Sequence, residues 1–248
     1  MKVVHAALQP EAGTLSSLLI VADGATAGIS LAAAGDMAFS RRDTHPQRQR
    51  LLAALRIPRD TVYGLRQVHS RTVVDADGRP EEVARLEADG MITDRRDAWL
   101  TVTVADCLPI FIVDRRLGAL SLVHSGWKGT GIVIDALRRM AARFDTRASD
   151  VAVTIGPGIG PCCYRVPGER AELFASTFGA AARVHDGDRV PALDLRVANL
   201  GLLEREGVAE ATVYDDCTCC SLALGSFRRQ GPEGYTLMLA WIGRGAES

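Results

Sequence analysis

A cysteine and a histidine stand at opposite ends of two apolar segments in "TVADCLPIFIVDRRLGALSLVHSGWKGTG", residues 103–131. Cys107 begins the first segment, and His124 ends the second. A third residue, His69, ends a similar apolar segment in "GLRQVHS". Because the ends of strands project side chains toward loops, where sites usually form, these three residues are the first candidates for chemistry.

Three interpretations of these residues remain open from the residue types alone. A thiolate and two imidazoles are ligands that zinc favours, and three protein ligands leave the fourth tetrahedral position open, as in catalytic sites. Alternatively, Cys107 is a nucleophile with His124 as its base, in a thiol hydrolase whose imidazole is oriented by Asp106 or Gln67. In the third interpretation, Cys107 is a small core residue and the histidines only form hydrogen bonds at strand ends.

Two positively charged segments are candidates for binding an anion. Lys128 lies among glycines in "SGWKGTG", directly before a predicted helix, and free N–H groups at a helix start favour anions. A tight turn that requires glycine explains the same pattern. Arg228, in "SFRRQG", is either a solvated surface residue or a partner for a phosphate or carboxylate.

The remaining cysteines do not indicate a metal site. Cys162 and Cys163 are adjacent and are expected to point in different directions from an extended chain, so that they do not share one tetrahedral metal. The segment "DDCTCCS" lacks a second ligand pair at the spacing of a zinc finger. Packing or a reducible thiol is therefore the favoured interpretation of these residues.

Length and pattern predict a layered α+β domain. A chain of 248 residues, 47% of them hydrophobic, can bury a substantial core, and we expect a single domain over residues 1–248. Strands come in clusters separated by helices rather than in strict alternation, which favours mixed sheets. "LPIFIVD" and "GALSLVHSG" form a predicted hairpin, and "TVYGLRQVHSRTVVDADG" is predicted as two strands joined by a tight turn.

Charge and hydropathy limit the classes of partner. The formal net charge is −1, which gives no reason to expect nucleic acid or an anionic membrane surface. The sequence shows neither a signal peptide pattern nor an apolar run of about 18 residues, the length that a membrane helix needs. We therefore expect a cytoplasmic protein, monomeric or homodimeric, that acts on small molecules.

Seven segments occur in one order along the chain: "QVHS", "ADG" followed by "MITD", "TVADCLPIFIVD", "HSGWKGTG", "IGPGIGPCCYRV", "LDLRVANLGLLEREGV" and "DDCTCCS…SFRRQG". Together they resemble the YfiH-like family, also called the laccase-domain or polyphenol oxidase family. The resemblance extends from about Tyr63 to Trp241. It implies a four-layer αββα fold with mixed β-sheets.

The resemblance also implies a metal and a reaction. It implies one zinc ion, held by His69, Cys107 and His124, in a purine nucleoside phosphorylase that also deaminates adenosine. The implied nucleosides are adenosine, inosine and S-methyl-5'-thioadenosine. In this scheme Asp106 moves protons, and Lys128 and Arg228 hold phosphate. Copper-dependent phenol oxidation, an older interpretation of the family, is disfavoured because the chain has only five histidines.

The N-terminal region departs from the family pattern. Family members commonly carry "T-x-R-x-G-G" and "N-L-G-x-H-x-G-D" segments before the "QVH" motif, whereas residues 28–50 read "GISLAAAGDMAFSRRDTHPQRQR". Arg41 and Arg42 are candidates to replace the missing arginine, and Lys128 stands where arginine is common. The range of substrates is the property that this departure would change.

Overall fold

A computed structural model gives the fold and describes residues 1–10, 13–19, 21, 24–39, 45–185, 187 and 190–244. Arg41 and Arg42 lie outside the described residues. In the part described, two large β-sheets stack face to face, and helices cover their outer faces.

The described strands have the following bounds: β1 Lys2–Ala6, β2 Ser16–Leu19, β3 Thr26–Ser30, β4 Val62–Tyr63, β5 Val73–Asp75, β6 Gly90–Thr93, β7 Trp99–Val104, β8 Leu108–Asp114, β9 Leu120–Ser125, β10 Val151–Ile155, β11 Arg183–Val184, β12 Ala192–Leu193, β13 Glu210–Tyr214 and β14 Met238–Gly243. The α-helices are α1 Pro46–Ala54, α2 Pro80–Val83, α3 Ile132–Phe144, α4 Gly168–Phe178, α5 Leu195–Arg205 and α6 Phe227–Gln230.

The larger sheet has seven strands in the order β1-β13-β10-β8-β9-β6-β5. It is mixed, since β1 and β10 run parallel to β13 and β5 runs parallel to β6, while the other pairs are antiparallel. The predicted hairpin is confirmed as β8 and β9, with Leu108 opposite Ser125. This pairing places the start of β8 beside the end of β9.

The second sheet has five strands in the order β2-β3-β14-β7-β4, and β11 and β12 form a separate pair. The predicted tight turn between the strands of "TVYGLRQVHSRTVVDADG" is wrong. β4 pairs with β7 in the five-stranded sheet, and β5 pairs with β6 in the seven-stranded sheet. The chain crosses between sheets because Gln67 binds the backbone of Thr103 in β7, while Asp89 binds the amides of residues 68–70.

Three apolar cores separate four layers, as the alternation along β14 shows. Met238, Ala240 and Ile242 pack into the core between the two sheets. Leu239 and Trp241 face the other way, into the core that contains Leu51 and Leu52 of α1. The third core joins the outer face of the larger sheet to α3, α4 and α5. The layered mixed fold expected from the sequence is therefore confirmed.

Helix α3 follows the predicted apolar spacing. Ile132, Ala136, Leu137 and Met140 are all buried in the core beneath the helix, as a repeat of 3.6 residues per turn requires. Within the described part of the chain, no helix is long and apolar enough to cross a membrane.

Candidate metal site

The three residues that the sequence singled out meet in space. The Sγ atom of Cys107 and one ring nitrogen each of His69 and His124 all lie within 4.8 Å of one another. The two imidazole rings meet nearly edge to face, with centroids 4.9 Å apart. His124 lies in β9 and Cys107 directly precedes β8, so the antiparallel pairing of these strands brings them together.

A buried carboxylate, Asp89, orients both histidines. Its Oδ1 accepts a hydrogen bond from Nδ1 of His124 at 2.9 Å and one from the His69 backbone amide at 3.0 Å. Its Oδ2 accepts from the amide of Ser70 at 2.6 Å and from that of Val68 at 3.2 Å. With Nδ1 of His124 bound to Asp89, Nε2 is the nitrogen that remains for a metal, which is the usual arrangement around a ligating histidine.

The environment keeps Asp89 ionised. Burial would raise its pKa, but hydrogen bonds from His124 and from Ser70 lower the pKa to about 2. The same bonds hold the turn around His69, whose φ of +58° lies in the left-handed region. A non-glycine residue adopts this conformation only where its surroundings hold it there, and Asp89 does so through three consecutive amides.

Cys107 and His124 each favour the charged form of the other. Burial would raise the pKa of the Cys107 thiol, but the charge and hydrogen bond of His124, with smaller contributions from His69, lower it to about 6. Burial would lower the pKa of His124, but the charge of Cys107 and the hydrogen bond to Asp89 raise it to about 10. The cysteine is therefore a thiolate at neutral pH, the form that binds metals and attacks electrophiles.

Both carboxylate oxygens of Asp106 accept hydrogen bonds from the protein. Its Oδ1 accepts a hydrogen bond from the Thr218 hydroxyl at 2.6 Å, and its Oδ2 accepts one from the Arg228 amide at 2.7 Å. Asp106 is buried, and its φ is +87°. Neither Asp106 nor Gln67 contacts the ring of His124 in the way expected for a thiol hydrolase, because Asp89 occupies that position and Gln67 binds Thr103.

Two cations lie near the ring of Trp127, three residues after His124, and a third lies near the ring of Tyr164. Nζ of Lys128 lies 5.8 Å, and Cζ of Arg170 4.6 Å, from the ring centroid of Trp127. Cζ of Arg228 lies 5.5 Å from the ring centroid of Tyr164. Burial raises the pKa of Tyr164 to about 12, with the charge of Cys107 adding to the effect. Tyr164 is thus close enough to the thiolate to respond to its charge, and it keeps its proton at neutral pH.

Comparison with known proteins identifies the family. The model of the family described as multi-copper polyphenol oxidoreductase laccase matches residues 30–243. The chain belongs to this family. The YfiH-like resemblance inferred from the seven segments is thereby confirmed.

Relatives of this laccase family share both sequence and fold with the chain. It is 32% identical over 254 residues to "Purine nucleoside phosphorylase YlmD" of Geobacillus stearothermophilus, covering 96% of this chain and 93% of that protein. The crystal structure of YlmD from this organism matches with a TM-score of 0.84 and 30% identity, covering 96% of this chain and 98% of that one. "Purine nucleoside phosphorylase LACC1" of Mus musculus is 36% identical over 140 residues, which are 53% of this chain but only 32% of that relative.

The sequence analysis did not identify three residues that the structure adds to the candidate site and its surroundings: Asp89, Tyr164 and Arg170. Asp89 stands in the "ADG" segment, where an aspartate before glycine looks like an ordinary turn residue. Tyr164 belongs to "GPCCYRV", where nothing in the sequence distinguishes the tyrosine as part of a site. Arg170 lies in α4, and its surroundings in the sequence give no sign that it approaches Trp127.

The prediction that Cys162 and Cys163 point apart is wrong. The Sγ atoms of Cys162, Cys163, Cys217 and Cys220 all lie within 4.8 Å of one another. The chain is not extended here, because the amides of Cys163 and Tyr164 both donate to the carbonyl of Gly160 at 3.0 and 2.9 Å. A turn of this kind brings both neighbouring side chains to one side.

Proposed function

We propose that this chain is a purine nucleoside phosphorylase whose zinc ion is held by His69, Cys107 and His124. The observation that carries the proposal is the convergence of these three ligands in a fold shared over 96% of the chain with YlmD, a relative named as such an enzyme. Two imidazoles and a thiolate suit zinc, and the fourth tetrahedral position stays open.

The residues around the proposed metal have different roles in the proposed reaction. A zinc ion held by His69, Cys107 and His124 would supply a Lewis acid. Asp89 keeps His124 oriented and ionises fully, so the ligand geometry is preorganised. Lys128, Arg170 and Arg228 provide positive charge for phosphate. Tyr164, which stays protonated, is a hydrogen-bond donor for the leaving base or the nucleoside.

The proposed enzyme has two reactions, phosphorolysis and deamination. In phosphorolysis, adenosine and phosphate give adenine and ribose 1-phosphate, and inosine and S-methyl-5'-thioadenosine react in the same way at the ribose carbon. In the proposed second activity, adenosine and water give inosine and ammonia. The sequence suggests Asp106 as the residue that moves protons in this step. Because both of its oxygens accept hydrogen bonds, we propose instead that Asp106 positions the loop that precedes Cys107.

An assay of purified protein, with its metal content measured, tests this function. We expect adenine to form from adenosine only when phosphate is present, and inosine to form with or without phosphate. Removal of zinc with a chelator should abolish both products, and zinc should restore them. The absence of both products from zinc-loaded protein would refute the function. Restoration by copper but not by zinc would refute the choice of metal. Oxidation of a phenol by copper-loaded protein that forms neither nucleoside product would favour the polyphenol oxidase alternative.

The phosphate-binding role has its own test. We expect Lys128→Ala and Arg228→Ala each to raise the KM for phosphate by about 10- to 150-fold, since a charged hydrogen bond contributes about 1.5–3 kcal/mol, with a smaller effect on the KM for adenosine. Arg95→Ala is the matched control, because Arg95 pairs with Asp97 at the surface. An unchanged KM for phosphate in both variants would exclude these residues from the phosphate site.

The thiol hydrolase remains a second candidate because His124 lowers the pKa of Cys107 and Cys107 raises the pKa of His124, shifts that favour a thiolate–imidazolium pair. Such a pair is the activated form of a cysteine nucleophile. If Cys107 acts in this way, chelated protein should hydrolyse an activated ester and lose that activity on alkylation of Cys107. The phosphorylase predicts the opposite dependence on the chelator.

A further inference from the structure

We propose that Cys162, Cys163, Cys217 and Cys220 form a second metal site, a closed tetrahedral zinc site with a structural role. This site shares no residue with the His69, Cys107 and His124 site, and the inference does not depend on the proposed reaction. It assigns a metal ion to four thiols that are not part of the candidate metal site.

The distances between the sulfur atoms fit a four-thiolate zinc site. All four Sγ atoms lie within 4.8 Å of one another. The Sγ atom of Cys220 lies 3.7 Å from that of Cys162 and 3.4 Å from that of Cys163. Zinc bonds of about 2.3 Å at tetrahedral angles place two sulfur atoms about 3.8 Å apart. The observed separations are close to this value and well beyond the length of a disulfide, about 2.05 Å.

Two turns build the site from either side. Cys217 and Cys220 have the C-x2-C spacing that recurs in zinc sites. The amides of Cys220 and Ser221 donate to the carbonyl of Cys217 at 3.1 and 2.9 Å, which closes the first turn. The second turn, around Gly160, carries the other two cysteines. The two turns also meet directly, in a bridge between Gly158 and Cys217.

Gly160 fits its backbone tightly against the sulfur atoms. Its amide donates a hydrogen bond to Sγ of Cys217 at 3.2 Å, an interaction that favours the thiolate. A Cβ atom at this position would lie 3.2 Å from Sγ of Cys162 and 3.5 Å from Sγ of Cys217. The absence of a side chain here lets one amide reach the cluster from the opposite turn.

Three arginines donate hydrogen bonds to backbone carbonyls in or next to the two turns that carry the cluster. Four thiolates on one zinc ion carry a net charge of −2, which a site must offset. Arg228 donates to the carbonyl of Cys163 at 2.9 Å, and Arg229 donates to that of Cys219 at 3.0 Å. Arg196 donates to the carbonyl of Asp216 at 2.7 Å. The guanidinium groups thus hold the backbone of both turns and place positive charge beside the proposed zinc thiolate.

The four-cysteine site would also hold Asp106, which precedes Cys107 of the candidate metal site. Thr218 lies between two of the proposed ligands, and its hydroxyl donates to Asp106, the residue before Cys107. The carbonyl of Asp106 in turn accepts from the amide of Ile159, in the turn that leads to Cys162. A zinc ion that joins the two turns would therefore fix Asp106 from both sides.

Zinc content tests the proposal. Protein purified under reducing conditions with zinc present is measured by native mass spectrometry and elemental analysis. We expect about two zinc ions per chain in the wild type and about one in Cys220→Ser. Cys219→Ser is the matched control, since Cys219 lies in the same turn outside the four-sulfur cluster, and should keep about two. His124→Ala should lose the first ion and keep the second.

Two further measurements keep the proposal testable if Cys220→Ser does not fold. Cobalt-substituted His124→Ala should show the intense thiolate-to-metal absorption and the visible bands of a tetrahedral four-thiolate site. The intact mass of denatured wild type should be that of six free thiols. The proposal would be overturned by a single zinc ion in the wild type that His124→Ala loses and Cys220→Ser keeps. A mass about 2 Da lower, which reports a disulfide among these cysteines, would also overturn it. If wild-type protein with two bound zinc ions had no nucleoside activity, the proposed function would be refuted but the second metal site would not.

Discussion

At the scale of single residues, the site depends on how one carboxylate and one thiolate share His124. Asp89 binds Nδ1, and Cys107 faces the other side of the ring. Each partner stabilises the imidazolium, which is why the pKa of His124 is raised to about 10. A metal must replace that proton, so metal binding at neutral pH should release about one proton per site.

The reactivity of Cys107 in metal-free protein should follow from its lowered pKa. Because the thiol titrates at about 6 rather than at the usual value of about 8.5, we expect alkylation by iodoacetamide to reach half of its maximal rate near pH 6. Peptide mass spectrometry distinguishes Cys107 from the other cysteines. Zinc should protect Cys107, and a midpoint above pH 8 would contradict the ionic pair with His124.

Asp89→Asn should weaken zinc binding about 10- to 100-fold, the range for loss of a carboxylate behind a histidine ligand. An amide cannot stabilise positive charge on His124, and it binds the three amides less strongly. Competition with a chromogenic chelator measures the change. Asp75→Asn is the control, since Asp75 pairs with Arg139 near the surface. Equal affinity in the two variants would show that Asp89 does not support the site.

The sequence indicates the candidate ligands but not the residues that support them. His69, Cys107 and His124 are recognisable because scarce residue types stand where apolar segments end. Asp89 is not, since aspartate before glycine also marks ordinary turns. The four-cysteine cluster depends on a turn at Gly160 whose geometry the letters "IGPGIGPCCY" do not reveal, and an extended chain gave the wrong expectation.

At the scale of elements, the glycine after β9 decides how closely two strand ends approach. A Cβ atom on Gly126 would lie 2.6 Å from Sγ of Cys107, closer than real contacts allow. Hairpin β8–β9 can therefore place Cys107 over the turn after His124 only if this residue has no side chain. The glycine in "HSGW" thus has a packing role in addition to any role in an anion site.

Gly126→Ala should consequently displace Cys107 and lower the affinity of the candidate metal site for zinc by at least tenfold. It should also lower the thermal stability of the protein clearly. Gly201→Ala is the control, because the space around that position in α5 is open and alanine favours helices by up to about 1 kcal/mol. Zinc titration and thermal unfolding of both variants test this. Normal zinc binding by Gly126→Ala would show that the sulfur adapts.

Helix α3 and the β8–β9 hairpin were predictable, and the crossing between sheets was not. Helix α3 and hairpin β8–β9 follow directly from the spacing of their apolar residues. β4 and β5 are short and apolar, and nothing local distinguishes two strands of one hairpin from two strands of different sheets. Their separation is set by Gln67 and Asp89, through contacts with residues 20 or more positions away.

At the scale of the whole molecule, the larger sheet supports the site because it is covered on both faces. Every residue of β8 is buried, and alternate side chains enter different cores. Such strands appear in sequence as continuous apolar runs, so their direction and partners had to come from the structure. The layered class itself was accessible from the order of strands and helices.

The core between the sheets should contribute stability without altering the chemistry of the site. Phe111 is fully buried there, on β8. We expect Phe111→Ala to lower the free energy of unfolding by about 3–5 kcal/mol, and Phe111→Leu to cost less because it leaves a smaller cavity. Urea denaturation measures both changes. Leu222→Ala, at a residue 82% exposed, should have almost no effect.

The folded fraction of Phe111→Leu should still bind zinc with wild-type affinity, because the ligands lie at the ends of strands rather than within this core. The site would thus respond to changes in its own turns, and the sheets to changes in their packing. If Phe111→Leu weakened zinc binding as much as Asp89→Asn does, the two sheets would have to position the ligands jointly. Zinc titration of both variants side by side decides between these outcomes.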